Sequence, residues 1–74
     1  MVFNFKVSSS AISKVSYNYI TGILTLTFTS GDQKYNYGPV PAGEVVRMLK
    51  APSVGKYYNK FIRNKYEMER YNEA

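Results

Sequence analysis

Lys56, Lys60 and Arg63 are the residues whose type and spacing point most directly to chemistry. At i, i+4 and i+7 of a helix they stack on one face, with no acid placed to neutralise them. A row of this kind suits phosphates or an acidic protein surface, although a solvated helix face has the same pattern. Asn59 lies one turn before Arg63, and the two flank the apolar stripe of the same helix. Lys14 and Lys34 form a second group among Ser16, Asn18, Asn36, Thr25, Thr27 and Thr29. Hydroxyls and amides beside two cations could reach phosphate and sugar groups, and a plain solvent-facing sheet would carry the same residues.

Nothing in the chain sets up catalysis. Histidine and cysteine are both absent, so there is no imidazole base and no thiolate. The five acids are too scattered to form a general acid/base pair. The glycines fall at turns and element ends rather than in a phosphate-cradling loop, and no metal-ligand spacing occurs. A serine without a base is not an activated nucleophile. The expectation is a binding protein, not an enzyme, with no cofactor and no metal.

The elements that must hold these residues are short. With 74 residues there is room for one domain, and a chain of this size buries only about 60% of its extended surface. The core must therefore come from packing or self-association, and the eight tyrosines and four phenylalanines are its main material. The formal charge is +5, with Glu67, Glu69 and Glu73 gathered at the end of the chain. The preceding residues are strongly basic, which favours polyanionic partners. The opening run MVFNFKVSSS does not read as a signal peptide. No segment approaches the roughly 20 apolar residues of a membrane span. A cytoplasmic, membrane-free location is expected.

Three segments alternate with period two. Val15, Tyr17 and Tyr19 oppose Lys14, Ser16 and Asn18; Leu24, Leu26 and Phe28 oppose Thr25, Thr27 and Thr29; Tyr35 and Tyr37 oppose Lys34 and Asn36. Two-residue loops at Thr21-Gly22 and Gly31-Asp32 would pair Tyr19 with Leu24, Tyr17 with Leu26, Val15 with Phe28, Phe28 with Tyr35 and Leu26 with Tyr37. Every large residue then shares one face. The outer face holds no aromatic residue, which disfavours a sheet that stacks bases.

Pro41 suits the first turn of a helix over 42–50, with Val45, Met48 and Leu49 on one side and Glu44, Arg47 and Lys50 largely on the other. Ser53 reads as the N-cap of a second helix. Val54, Tyr57, Tyr58, Phe61 and Ile62 would form its apolar stripe. Running on would put Lys65 in that stripe, so the helix should end near Arg63 and let Tyr66 pack back. Phe3, Phe5 and Val7 allow a fourth, N-terminal strand, and Ser8-Ser9-Ser10 reads as a flexible joint. The expected fold is α+β: a three-stranded antiparallel β-meander, with a fourth strand allowed, under two helices on one face. It forms a single domain, 1–74, with its core at 7–66 and a polar tail at 67–74.

The run Val7-Ser8-Ser9-Ser10, the Tyr35-Asn36-Tyr37 centre, Val40-Pro41, the stretch from Lys50 to Asn59 that reads KAPSVGKYYN, then Ile62-Arg63 and Tyr66 together resemble the KTSC domain. That small domain is named for a copy at the C-terminus of some lysyl-tRNA synthetases and also stands alone in bacteria and phages. Gly38-Pro39 departs from its pattern. The resemblance implies motif positions at Tyr35, Tyr37, Lys56, Tyr58, Asn59, Arg63 and Tyr66, the four tyrosines serving structure. It also implies RNA binding, an inference that rests on the synthetase context.

The expected function is a small basic accessory protein that binds nucleic acid, RNA in preference to DNA. Lys56, Lys60 and Arg63 would lead, with Lys14, Lys34 and Asn59 in support. An adaptor or inhibitor of the phage type, docking on an acidic or nucleic-acid-binding surface of a host protein, is the alternative. A self-associating structural module, a homo-oligomer, is the third class.

Overall fold

A computed structural model of the protein describes residues 2–7, 9–31 and 33–70. Ser8 of the serine run, Asp32 of the second turn and residues 71–74 of the tail lie outside the described residues. Five strands form one antiparallel sheet: β1 (Val2–Lys6), β2 (Ile12–Asn18), β3 (Ile23–Phe28), β4 (Lys34–Tyr37) and β5 (Met68–Arg70). Their spatial order follows the chain. Helix α1 (Ala42–Lys50), helix α2 (Val54–Tyr57) and a π-helical turn at Tyr58–Ile62 lie between β4 and β5. The fold is α+β as expected, but with five strands where three or four were anticipated. Met68–Arg70 pairs with β4, so this part of the anticipated tail closes the sheet.

Alternation assigned the faces correctly and the register wrongly. Val15 pairs with Leu26, Tyr17 with Leu24 and Asn18 with Ile23. Across the next pair Leu26 meets Tyr35 and Leu24 meets Tyr37. Both hairpins are two residues out of the expected register, because each loop holds four residues rather than two. At the first loop, Asn18 Oδ1 accepts the amides of Ile20 at 3.0 Å and Thr21 at 3.3 Å. That is an Asx turn, in which a short amide side chain caps its own loop. At the second, the Phe28 amide donates to the Gln33 carbonyl at 2.8 Å. Since side chains repeat every two residues, a two-residue slip leaves every face unchanged. Tyr19, expected inside, sits in the first loop, half exposed beside the Phe3 ring.

The register also breaks between Ile12 and Lys14. Strict alternation would send Ile12 outward with Lys14; this bulge turns it fully into the core instead. Ser9 Oγ accepts the amides of Ala11 and Ile12 at 3.2 and 3.3 Å. The serine run is thus tied down at Ser9 rather than a free joint.

The core lies between the sheet and the helices. Ile12, Val15, Tyr17, Leu24, Leu26 and Tyr37 meet Val40, Val45, Met48, Val54, Tyr58 and Ile62 there. Tyr17 donates its hydroxyl to the Val40 carbonyl at 2.6 Å, fixing the chain as it leaves the sheet. Gly38 has φ 146°, and a Cβ there would lie 2.8 Å from the Gly22 carbonyl oxygen. Only glycine fits this close approach of the two turns. The Gly38-Pro39 bond is cis.

Ser53 caps α2 as expected, accepting the Lys56 amide at 3.3 Å. The Arg63 amide then reaches back five residues to the Tyr58 carbonyl at 2.9 Å. This π turn ends the helix at Ile62, close to the expected stop at Arg63. It keeps Tyr58 and Ile62 buried and swings Phe61, expected in the stripe, out to the surface. There Phe61 packs on Tyr57 with ring centroids 4.6 Å apart.

Candidate nucleic-acid interface

The polar side chains form three groups, each built by a different part of the fold. On the covered side stands Glu44 of α1, only 3% exposed. Its carboxylate accepts the Tyr57 hydroxyl at 2.5 Å, the Tyr66 hydroxyl at 2.9 Å and Lys65 Nζ at 3.1 Å. Arg47 lies at 4.0 Å. The Tyr57 hydrogen bond, aided by Lys65 and Tyr66, holds the carboxyl below the usual carboxylate range against the opposing effect of burial. Burial, and then the bond to Glu44, pushes the Tyr66 phenol up. Glu44 therefore ties α1 to α2 and to the segment after the π turn. The sequence reading put it outside with Arg47 and Lys50, and the structure corrects that. Its position four residues before Met48, on the same helical stripe, was the available signal.

The second group lies on the opposite face of the sheet, which no helix covers. Here the pairing aligns Lys6 with Lys14, Lys14 with Thr27, and Thr27 with Lys34. The neighbouring row runs Asn4, Ser16, Thr25, Asn36 and Glu69. Ser16 donates to Asn4 Oδ1, and Thr25 donates to Asn36 Oδ1 at 2.6 Å. The face is concave, enclosing about 780 Å³, and no carboxylate lines that concavity among the described residues. Like charges directly opposite on adjacent strands repel, so Lys6 and Lys14 gain nothing from each other. Lys6 joined the site only once the fourth strand was in place; the sequence reading had named Lys14 and Lys34 alone.

The third group is a cleft of about 590 Å³ where β4, the π turn and the β3–β4 loop meet. Tyr35, Tyr37, Tyr58, Asn59 and Arg63 line it together, with Met68 of β5. The Tyr37 and Tyr58 hydroxyls are hydrogen-bonded to each other and buried. Burial first, then that bond, drives the Tyr37 pKa far above the ordinary phenol value, so the group stays protonated; nearby Arg63 opposes the shift. Tyr35 donates to Gln33 Oε1 at 2.9 Å.

The expected surface is thus divided. Arg63 and Asn59 turn into the cleft, and Lys14 and Lys34 lie across the sheet from it. Lys56 and Lys60 are exposed and line neither concavity; Lys60 Nζ sits 5.4 Å from the Phe61 ring centre. Tyr66 belongs to the Glu44 group. No helix among the described residues is long and apolar enough to cross a membrane.

A family model described as "KTSC domain" matches residues 8–66. Over 64 residues the chain is 39% identical to a lysine–tRNA ligase of Nostoc punctiforme and 38% identical to one of Trichormus variabilis. Each match takes in 86% of this chain but 11% of the ligase, so the chain spans only a small part of those relatives. The crystal structure of a KTSC domain protein from Yersinia pestis superposes with a TM-score of 0.89, covering 97% of this chain and all of that one. At 24% identity this match shows the shared fold.

Proposed function

The chain belongs to the KTSC domain family, and on that footing we propose that it is a small, non-catalytic accessory domain that binds RNA in the cytoplasm through the open face of its sheet. The observation that carries the reading is the lysine row. Three lysines are lined up across adjacent strands of a concave surface, and no carboxylate is among the described residues that line it. Such a row costs the fold a little repulsion and gains from phosphates. The rest of the concavity offers mainly amides and hydroxyls, with Val2, Ile23 and Phe5 also lining it. Phe5 pairs with inward-facing Val15, so no ring stands among the residues that alternation turns outward, which suits sugar and phosphate better than stacked bases. Helical RNA displays its 2′-hydroxyls in a wide, shallow groove that such groups can reach. The similarity to segments of two lysine–tRNA ligases supports folded RNA as the ligand class. The absence of histidine and cysteine, together with the full engagement of Glu44, supports a binding role over a catalytic one.

Fluorescence anisotropy of a labelled RNA hairpin tests this. Binding is expected at low salt, and about three neutralised phosphates imply a loss of roughly 16- to 60-fold between 50 and 200 mM salt. No binding at low salt would overturn the reading. Equal affinity for a DNA hairpin of the same sequence would remove the preference for RNA.

A further inference from the structure

The tyrosine cleft lies on the other side of β4 from the lysine row, and the sheet's charge does not account for it. Its donors outnumber its acceptors. Arg63 brings a guanidinium with several N–H groups, and Asn59 an amide. The Tyr37–Tyr58 pair, buried and with its hydroxyls bonded to each other, forms the floor beneath them. No carboxylate lines the cleft among the described residues. A donor-rich, cationic pocket of this kind selects an oxygen-rich anion. Its remaining walls are flat or apolar. The Tyr35 ring is only partly buried, held edge-on by Phe28 at 5.6 Å, and Met68 is 53% exposed. Gln33 accepts from Tyr35 through Oε1, which leaves its NH₂ free to donate to a ring edge. A volume of about 590 Å³ falls within the range of small-molecule sites, about 300–1,000 Å³, and far exceeds what a bare anion needs.

We propose that this cleft binds a single unpaired nucleotide, with its phosphate on Arg63 and Asn59 and its base against Tyr35. The assignment rests on the RNA reading, since it supplies the contact to an unpaired base that the open face lacks. Stacking on an aromatic ring is how single-stranded positions are held, and it tolerates any base.

The test is an NMR titration of the ¹⁵N-labelled chain with each nucleoside 5′-monophosphate and, separately, with inorganic phosphate. Shifts are expected at Tyr35, Asn59 and Arg63, with the nucleotides binding at least tenfold more tightly than phosphate. Arg63→Gln, on an exposed residue, should weaken nucleotide binding at least tenfold, and Asn59→Ala, also exposed, should weaken it severalfold. Phosphate binding as well as the nucleotides, or Arg63→Gln binding like the parent, would overturn the proposal. The two surfaces separate cleanly. A chain that binds the hairpin but no mononucleotide contradicts the cleft alone, and one that binds mononucleotides but no hairpin contradicts the open face alone.

Discussion

The two faces of the sheet handle charge in opposite ways. On the covered face one carboxylate, Glu44, is buried and satisfied by two phenols and a lysine. On the open face three lysines stand in a row, and no carboxylate lines the concavity they share among the described residues. A buried charge must be paired or it unfolds the protein, so the first arrangement explains itself as structure. An exposed row of like charge is tolerated because water screens it. Lys6 and Lys14 gain nothing from each other, and the use proposed for the row lies in what it attracts. β3 faces both ways in adjacent residues: Leu26 turns to the core with no exposed surface, while Thr27, itself 8% exposed, turns to the lysine row.

The largest effect that sharpens this contrast is Leu26→Ala, expected to cost about 2–5 kcal/mol by leaving a cavity in the core. Thr27→Ala, at a position facing the other side of the sheet and only 8% exposed, should cost about 1 kcal/mol. Chemical denaturation in which Thr27→Ala is the more damaging change would reverse the faces. Next comes Glu44→Gln. Removing the charge that three groups address should cost about 1.5–3 kcal/mol near neutral pH. The Glu44 carboxyl is held below its ordinary value in the fold, so its contribution is present above the unfolded carboxylate pKa, about 4.3. It is lost as pH falls through the lower, folded value. Parent and Glu44→Gln stabilities should therefore converge in acid, and a gap that persists well below pH 4 would contradict the cluster. The smallest effect belongs to the open face: changing Lys6 and Lys14, directly opposite each other, to Gln should leave stability unchanged or raise it by a few tenths of a kcal/mol. A loss above about 1 kcal/mol would mean that the row is structural.

What the sequence revealed follows from which periodicities it carries. Period-two alternation marks faces, so Lys14, Lys34 and the inward tyrosines were legible. It is blind to even shifts of register, so the four-residue loops were not, although Asn18 at the head of the first was a usable sign. β5 contributes only Met68-Glu69-Arg70, too short to alternate visibly, and its partner β4 is some thirty residues back. Without a firm N-terminal strand Lys6 had no neighbours, and the third lysine of the row went unnoticed. The helical cation row was read on an α-helical period that the π turn interrupts, which is why Arg63 enters the tyrosine cleft and parts from Lys56 and Lys60. Glu44 was missed because a carboxylate on a nine-residue helix is expected in water unless partners await it, and those partners, Tyr57, Lys65 and Tyr66, lie 13 to 22 residues away.

The central proposal is that the lysines of the open face, not those of the helix, meet RNA. Its most direct test is the slope of log affinity against log salt for one RNA hairpin, measured on three chains by anisotropy, with circular dichroism as the folding control. The parent should give a slope of roughly −2 to −3. The Lys6, Lys14 and Lys34 triple change to Gln should flatten it towards zero, whereas Lys56→Gln with Lys60→Gln should leave most of it in place. A folded triple variant that keeps the parent's slope, beside a helix variant that loses it, would contradict the account.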